Sequence, residues 1–238
     1  MKKKILAVAL VLLLLATVVG GTLAYFTAED EVTNTFTIGS VKIEIFENGN
    51  PTTEDAIPFG AMMPIVNMDK PSEDDSYFEK VVTVKNVGAN DAYIRTHIAI
   101  PEALVGYLYL DLDERGWSRQ GENQVMVNGI YYTVYTYDYT AAVPGGGTTG
   151  QLLKGVYLNY DVDLVEDAAG NLLFVRRENG AIVHESGFVA HTKTPEGYKS
   201  TTVNVLVAAQ AIQSKGFENG GASVALDTGF GRGTNPWQ

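Results

Sequence analysis

The chain contains no cysteine, which excludes disulfide staples, thiol nucleophiles and cysteine-bound metals. Histidine is almost as scarce, since His97, His184 and His191 are all the imidazole available for acid–base work or metal ligation. Basic charge is short as well. Seventeen Lys plus Arg stand against 28 Asp plus Glu, for a formal charge of −11. So acidic a surface repels phosphate backbones and anionic lipids, and no nucleic-acid partner is expected. Beyond Val19 no apolar run approaches the roughly 20 residues that a membrane-spanning helix needs. The nucleophile-elbow pattern Gly-x-Ser-x-Gly is absent too.

What is present begins with an export signal. Lys2, Lys3 and Lys4 form a positive start, Ile5 to Val19 an apolar core, and Gly20-Gly21 end it. The core has signal-peptide length and is short for a finished span of about 20 residues. Thr22 and Ala24 put small residues at −3 and −1 of a cleavage site, so the cut is expected between Ala24 and Tyr25. An uncleaved membrane anchor is the competing reading. With cleavage, the membrane is met only through the signal peptide, and the mature protein is secreted or held at the cell surface. Loss of the three leader lysines moves the formal charge from −11 to about −14.

Downstream, Val, Ile, Thr and Tyr dominate and the periodicity is that of strands. Val41, Ile43 and Ile45 alternate with Lys42 and Glu44. Residues 81–87 and 92–100 read as two strands of a hairpin joined by Gly88-Ala89-Asn90-Asp91. Asn128-Gly129 is the strongest hairpin signal, between 124–127 and 130–137. Pro144-Gly145-Gly146-Gly147 reads as a flexible loop, and 201–212 as a long closing strand apolar enough on both faces to sit centrally. These signals predict an all-β fold, a jelly-roll-like β-sandwich with long loops, after a cleaved N-terminal signal helix. The expected division is a signal peptide (1–24), an N-terminal arm (25–35), a sandwich domain (36–215) with an insertion at 159–197, and a loosely ordered glycine-rich tail (216–238).

Chemistry is sparse. His184-Glu185 lacks the second histidine of a zinc-binding His-Glu-x-x-His, and each histidine reads as an ordinary surface or edge residue. Asp111, Asp113, Gly116 and Glu122 overlay an EF-hand loop, but Arg115 stands where an oxygen ligand belongs. Glu73, Asp74 and Asp75, or Asp161 and Asp163, are looser acidic groups. No catalytic, cofactor or metal residue is assigned, and a weakly bound calcium ion is the only cofactor left open.

The junction GGTLAYFTAEDEVTNTFTIGSVKIEI resembles the start of the TasA/camelysin proteins, in Gly20-Gly21-Thr22, Ala24-Tyr25-Phe26 and Asn34-Thr35-Phe36-Thr37-Ile38-Gly39. Lys85-Asn86-Val87-Gly88 with Asn90-Asp91-Ala92-Tyr93-Ile94-Arg95 is similar to the family's second block. Val207-Ala208-Ala209-Gln210-Ala211-Ile212-Gln213 with Gly216-Phe217 is similar to its final strand. The resemblance implies cleavage by a SipW-type signal peptidase, a Gram-positive host and the same jelly-roll sandwich. It further implies a biofilm-matrix protein that polymerises into head-to-tail fibres by donor-strand complementation, with or without an accessory fibre subunit. The arm 25–35 would then leave its own body, with Tyr25, Phe26 and Val32 as donor-strand anchors, although a strand tucked into its own sheet is the plain alternative. Camelysin-type relatives also raise a cell-surface metalloendopeptidase, and a non-polymerising adhesion module is the third reading.

Overall fold

The structure, a computed structural model, describes residues 27–31, 34–35, 41–51, 56–58, 62–217 and 219–237. The first strands are β1 (Thr27–Glu31), β2 (Asn34–Thr35), β3 (Ile43–Glu47), β4 (Asn50–Pro51) and β5 (Ala56–Pro58). After a long connection come β6 (Phe78–Glu79), β7 (Val82–Asn86), β8 (Ala92–Pro101) and β9 (Leu108–Leu112). Then follow β10 (Trp117–Val127), β11 (Ile130–Tyr139), β12 (Leu153–Leu158), β13 (Val162–Glu166) and β14 (Leu172–Glu178). The chain closes with β15 (Ala181–Thr194), β16 (Gly197–Ser200), β17 (Thr202–Asn204), β18 (Leu206–Gln213) and helix α1 (Gly221–Phe230). The protein is all-β apart from that helix and two single 3-10 turns among the described residues.

Two layers make the body. The first is a six-stranded antiparallel sheet in the order β10-β11-β8-β18-β1-β2. The second combines β4-β3-β7 with β6-β12-β9. Main-chain bonds knit these two pieces together, as Lys80 N–H donates to Lys154 O, Leu152 N–H to Val82 O and Thr149 N–H to Val84 O. Alternation explains the packing: Val41, Ile43, Ile45, Val82 and Val84 point inward from one layer, and Ile94, Ile98, Ile100, Val207, Ala209 and Ala211 from the other. At the Asn128-Gly129 turn both residues have positive φ, 49° and 81°, as a two-residue hairpin demands.

Several expectations need correction. Residues 81–87 and 92–100 are not a hairpin: β7 pairs with β3, whereas β8 pairs with β11 and β18. The 88–91 segment arches from one layer to the other, because both strands carry an inward apolar face and the core lies between them. Asn86 secures the arch, its Nδ2 donating to Asn90 O (2.7 Å) and Val143 O (2.9 Å). The Pro144–Gly147 stretch is pinned rather than loose. Gly146 N–H donates to Asn86 O, and a Cβ on Gly145 would stand 2.8 Å from the carbonyls of Gly88 and Ala89. The closing strand 201–212 breaks at Val205, with β17 pairing to β5 and β18 to the first layer. Residues 162–200 form their own antiparallel sheet, β13-β14-β15-β16, in the segment read as an insertion. It is anchored to the main core by Val162, Phe174 and Ala190.

The tail is the largest departure. Residues 221–230 are helical, and Ala222, Ala225 and Leu226 bury themselves against Tyr93 and Ile212 on the outer face of the first layer. The i, i+3, i+4 spacing of these three residues makes one apolar stripe. Further on, Trp237 packs over Ala99, Val125, Tyr132 and Val134. Of the glycines that suggested disorder, Gly221 and Gly231 sit at the helix boundaries, with φ of 69° and 75°.

Candidate assembly edge

β18 is built to be covered on every side. Val207, Ala209 and Ala211 face the sandwich core, and Ala208, Gln210 and Ile212 face the C-terminal segment. Small alanine side chains let both layers close over it. One edge is taken by β8, in the register Leu206↔Ala99 to Gln213↔Ala92. The other is taken by the N-terminal arm: β1 runs antiparallel to β18, pairing Thr27↔Ile212, Ala28↔Ala211, Glu29↔Gln210, Asp30↔Ala209 and Glu31↔Ala208. β2 folds back on β1 through Asp30↔Thr35 and Glu31↔Asn34. Within one chain, the arm thus occupies its own sheet. The sequence-derived positions Thr22, Ala24, Tyr25, Phe26 and Val32 lie outside the described residues.

The opposite edge of the same sheet is differently made. β10 is broken by a bulge between Arg119 and Gly121, where Gly121 has φ 148°. Exposed Arg119 and Glu122 pair there at 2.6 Å. A bulge and charges blunt an edge against further pairing. β18 has neither device, and its second side is covered by β1.

The outer face over β8 and β18 holds the most developed polar cluster of the described residues. Arg95, 1% exposed, is clamped by Asp138, 0% exposed, through Nε–Oδ1 at 2.7 Å and Nη2–Oδ2 at 3.0 Å. Nη2 also donates to Asp227 of α1 at 2.7 Å, and Nη1 to the Gly231 carbonyl at 2.8 Å. Burial raises the Asp227 carboxyl, but the hydrogen bonds from Arg95 and Arg232 outweigh it and hold the group below its ordinary value. The cluster therefore ties the C-terminal segment to the sheet that carries the arm.

Next to it, His97 corrects a sequence expectation, for it is neither a surface nor an edge residue. It lies in the interior strand β8, 3% exposed, with Nδ1 3.0 Å from Thr136 Oγ1 and Nε2 3.1 Å from Gln210 Oε1. Burial pushes its pKa down to about 4; the hydrogen bond to Gln210 opposes this, and the Arg95 charge adds to it. As pH falls below about 6.5 the unfolded chain gains a proton that the folded chain refuses, so stability declines toward pH 4, by about 3 kcal/mol for this depression. Urea unfolding at pH 7 and pH 4.5 should show the decline, and His97→Gln should flatten it. An equal slope in both proteins would sink the assignment.

The other two histidines lie on β15 and are occupied differently. His184 Nδ1 is 2.6 Å from Tyr107 Oη, and His191 Nδ1 is 3.2 Å from Ser200 Oγ. Neither approaches His97 in a shared site. The EF-hand-like carboxylates also part company: Asp111 pairs with Lys154, Asp113 with Arg115 and Glu122 with Arg119. Asp161 and Asp163 pair with Arg176 and Arg177, and Asp74 accepts main-chain N–H groups from Val66 and Ser76. Among the described residues no group of three or more His, Asp or Glu could hold a metal ion.

Sequence reasoning named the arm but not its seat. A signal existed, because β18 lacks charge along its whole length while carrying alternating residues suited to both faces. The Arg95 cluster was also missed, because Arg95 shares its face of the strand with His97 and its carboxylate partners Asp138 and Asp227 are distant in the sequence. No family model matches the chain, and no curated protein matches it.

Proposed function

We propose that this chain is a secreted structural protein of an extracellular or biofilm matrix, resembling TasA, that polymerises into fibres by exchanging its N-terminal arm between subunits. One observation carries the reading: β1 is seated on β18 by a five-pair main-chain ladder, and β18 itself has neither a bulge nor a charge. Three of the five residues of β1 are acidic (Thr-Ala-Glu-Asp-Glu). The five main-chain pairings with β18 are ones that an identical strand from another copy can make equally well. Exchange thus conserves the contacts of the closed chain while linking subunits. The patch donated and the patch filled are different, so the contact is head-to-tail and propagates into an open filament.

Processing fits the same scheme. Cleavage before Tyr25 by a SipW-type signal peptidase would release the arm from its membrane tether, and until then a chain held by its leader cannot thread its arm into a neighbour. An accessory fibre subunit would have a defined task, supplying the first arm or capping the last open edge.

The test compares the protein beginning at Tyr25 with a version trimmed to begin at Phe36. Negative-stain microscopy and light scattering should show filaments from the first and none from the second. The trimmed protein should still accept an added peptide of residues 25–35. Filaments from both proteins, or from neither across protein concentration, pH and salt, would contradict the proposal.

A further inference from the structure

The outer face of the second layer carries a row of tyrosines that the arm exchange does not use. Tyr109 of β9 and Tyr157 of β12 are direct register partners, and Tyr77, one residue before β6, continues the row on the other side of β12. The ring centroids are 5.8 Å apart for Tyr109–Tyr157 and 6.4 Å for Tyr77–Tyr157, with interplanar angles of 20° and 25°. Gly155 makes the row possible. A Cβ there would stand 2.3 Å from Cζ and Oη of Tyr77, so the Tyr77 side chain lies across β12 where that strand has no side chain of its own. Tyr77 Oη then donates to Asp111 Oδ2 at 3.0 Å, while Lys154 Nζ sits 2.8 Å from Asp111 Oδ1. Tyr109 remains 37% exposed and Phe78 36%.

We propose that this row is a binding platform for a neutral glycan chain. Pyranose rings present an apolar C–H face that stacks on aromatic rings, and a hydroxyl rim that needs donors and acceptors. The face supplies both, tyrosine rings in sequence and the Asp111–Lys154 pair beside them. Charge selects among glycans. The protein carries a formal charge of −11, which repels anionic polymers, and Asp111 beside the rings is paired with Lys154. The rings follow one another at intervals comparable to consecutive sugar units, which suits an extended chain laid across the strands. Tyrosines partly locked by their neighbours lose little freedom on binding. This inference is independent of the fibre proposal, since a monomer would bind as well.

The experiment uses the chain from Tyr25 with two neutral probes, cellohexaose and chitohexaose, and polygalacturonate as the anionic comparison. Titration by NMR should show binding of a neutral hexasaccharide, with its C–H protons shifted upfield by the ring currents. Tyr109→Ala and Tyr157→Ala should each weaken binding by about tenfold, while Tyr109→Trp keeps it within about twofold. Thermal melts verify that each variant is folded, and the upfield shift is read on the unaltered protein in any case. Absence of binding to both neutral probes, equal binding by the alanine variants, or preference for polygalacturonate would each overturn the proposal. So would loss of filaments in Tyr109→Ala without any glycan binding by the parent, which would make the face a subunit contact.

Discussion

Replacing Arg95 with methionine is expected to destabilise the protein by about 3–5 kcal/mol, the penalty for leaving a buried carboxylate without its partner. Asp138 is 0% exposed and takes two of its hydrogen bonds from the Arg95 guanidinium. Methionine fills much of the same space but donates nothing, so the Asp138 charge would stay desolvated. Asp227 provides the internal comparison. Its side chain is 23% exposed and keeps Arg232 as a second partner, so Asp227→Asn should cost less, under about 2 kcal/mol. Chemical denaturation of both variants at pH 7 gives the ordering directly. The two should also differ in kind. Asp227→Asn loosens the C-terminal segment and should speed proteolytic nicking within 214–237 while the sandwich persists. Arg95→Met lowers the stability of the whole body, because β8 is its central strand. Equal and small losses in both variants would mean that the cluster is ornamental to stability.

The all-β class and the centre of the sheet were legible for a local reason. Alternation in β3 and the Asn128-Gly129 turn are short-range signals whose meaning does not depend on distant partners. The two-faced apolar character of 207–212 likewise showed that the strand is interior. What stayed hidden was non-local. Gly88–Asp91 has hairpin chemistry, yet the layer that each flanking strand joins is decided by partners on β3, β11 and β18. Helix α1 has only three good helix formers in ten residues, Ala222, Ala225 and Leu226, with Gly221 and Gly229 the most unfavourable of the rest. It is held by burying Ala225 and Leu226 and by the Arg95–Asp227 bond, none of which its own sequence advertises. His97 looked like an edge residue because strand alternation put it on a polar face, and that face turned out to be roofed by the tail. The arm divides the same way: its expectation came from its position after the stretch read as a leader, whereas its seat on β18 is a property of the folded sheet.

The absence of cysteine allows the account to be tested with single introduced thiols. Ala28 of β1 and Ala211 of β18 are register partners, and the Cα atoms of such partners lie about 4.5–5.5 Å apart, within disulfide reach. A chain carrying both Ala28→Cys and Ala211→Cys, oxidised as a monomer, has its arm stapled at home and should form no filaments until reduced. The decisive measurement is the mixed one: one batch with Ala28→Cys alone, another with Ala211→Cys alone, assembled together and then oxidised. Arm exchange predicts that denaturing gels of those fibres show disulfide-linked pairs made of one chain from each batch. Fibres that assemble normally but yield no such pairs, together with filaments from the stapled chain, would show that each arm stays in its own subunit.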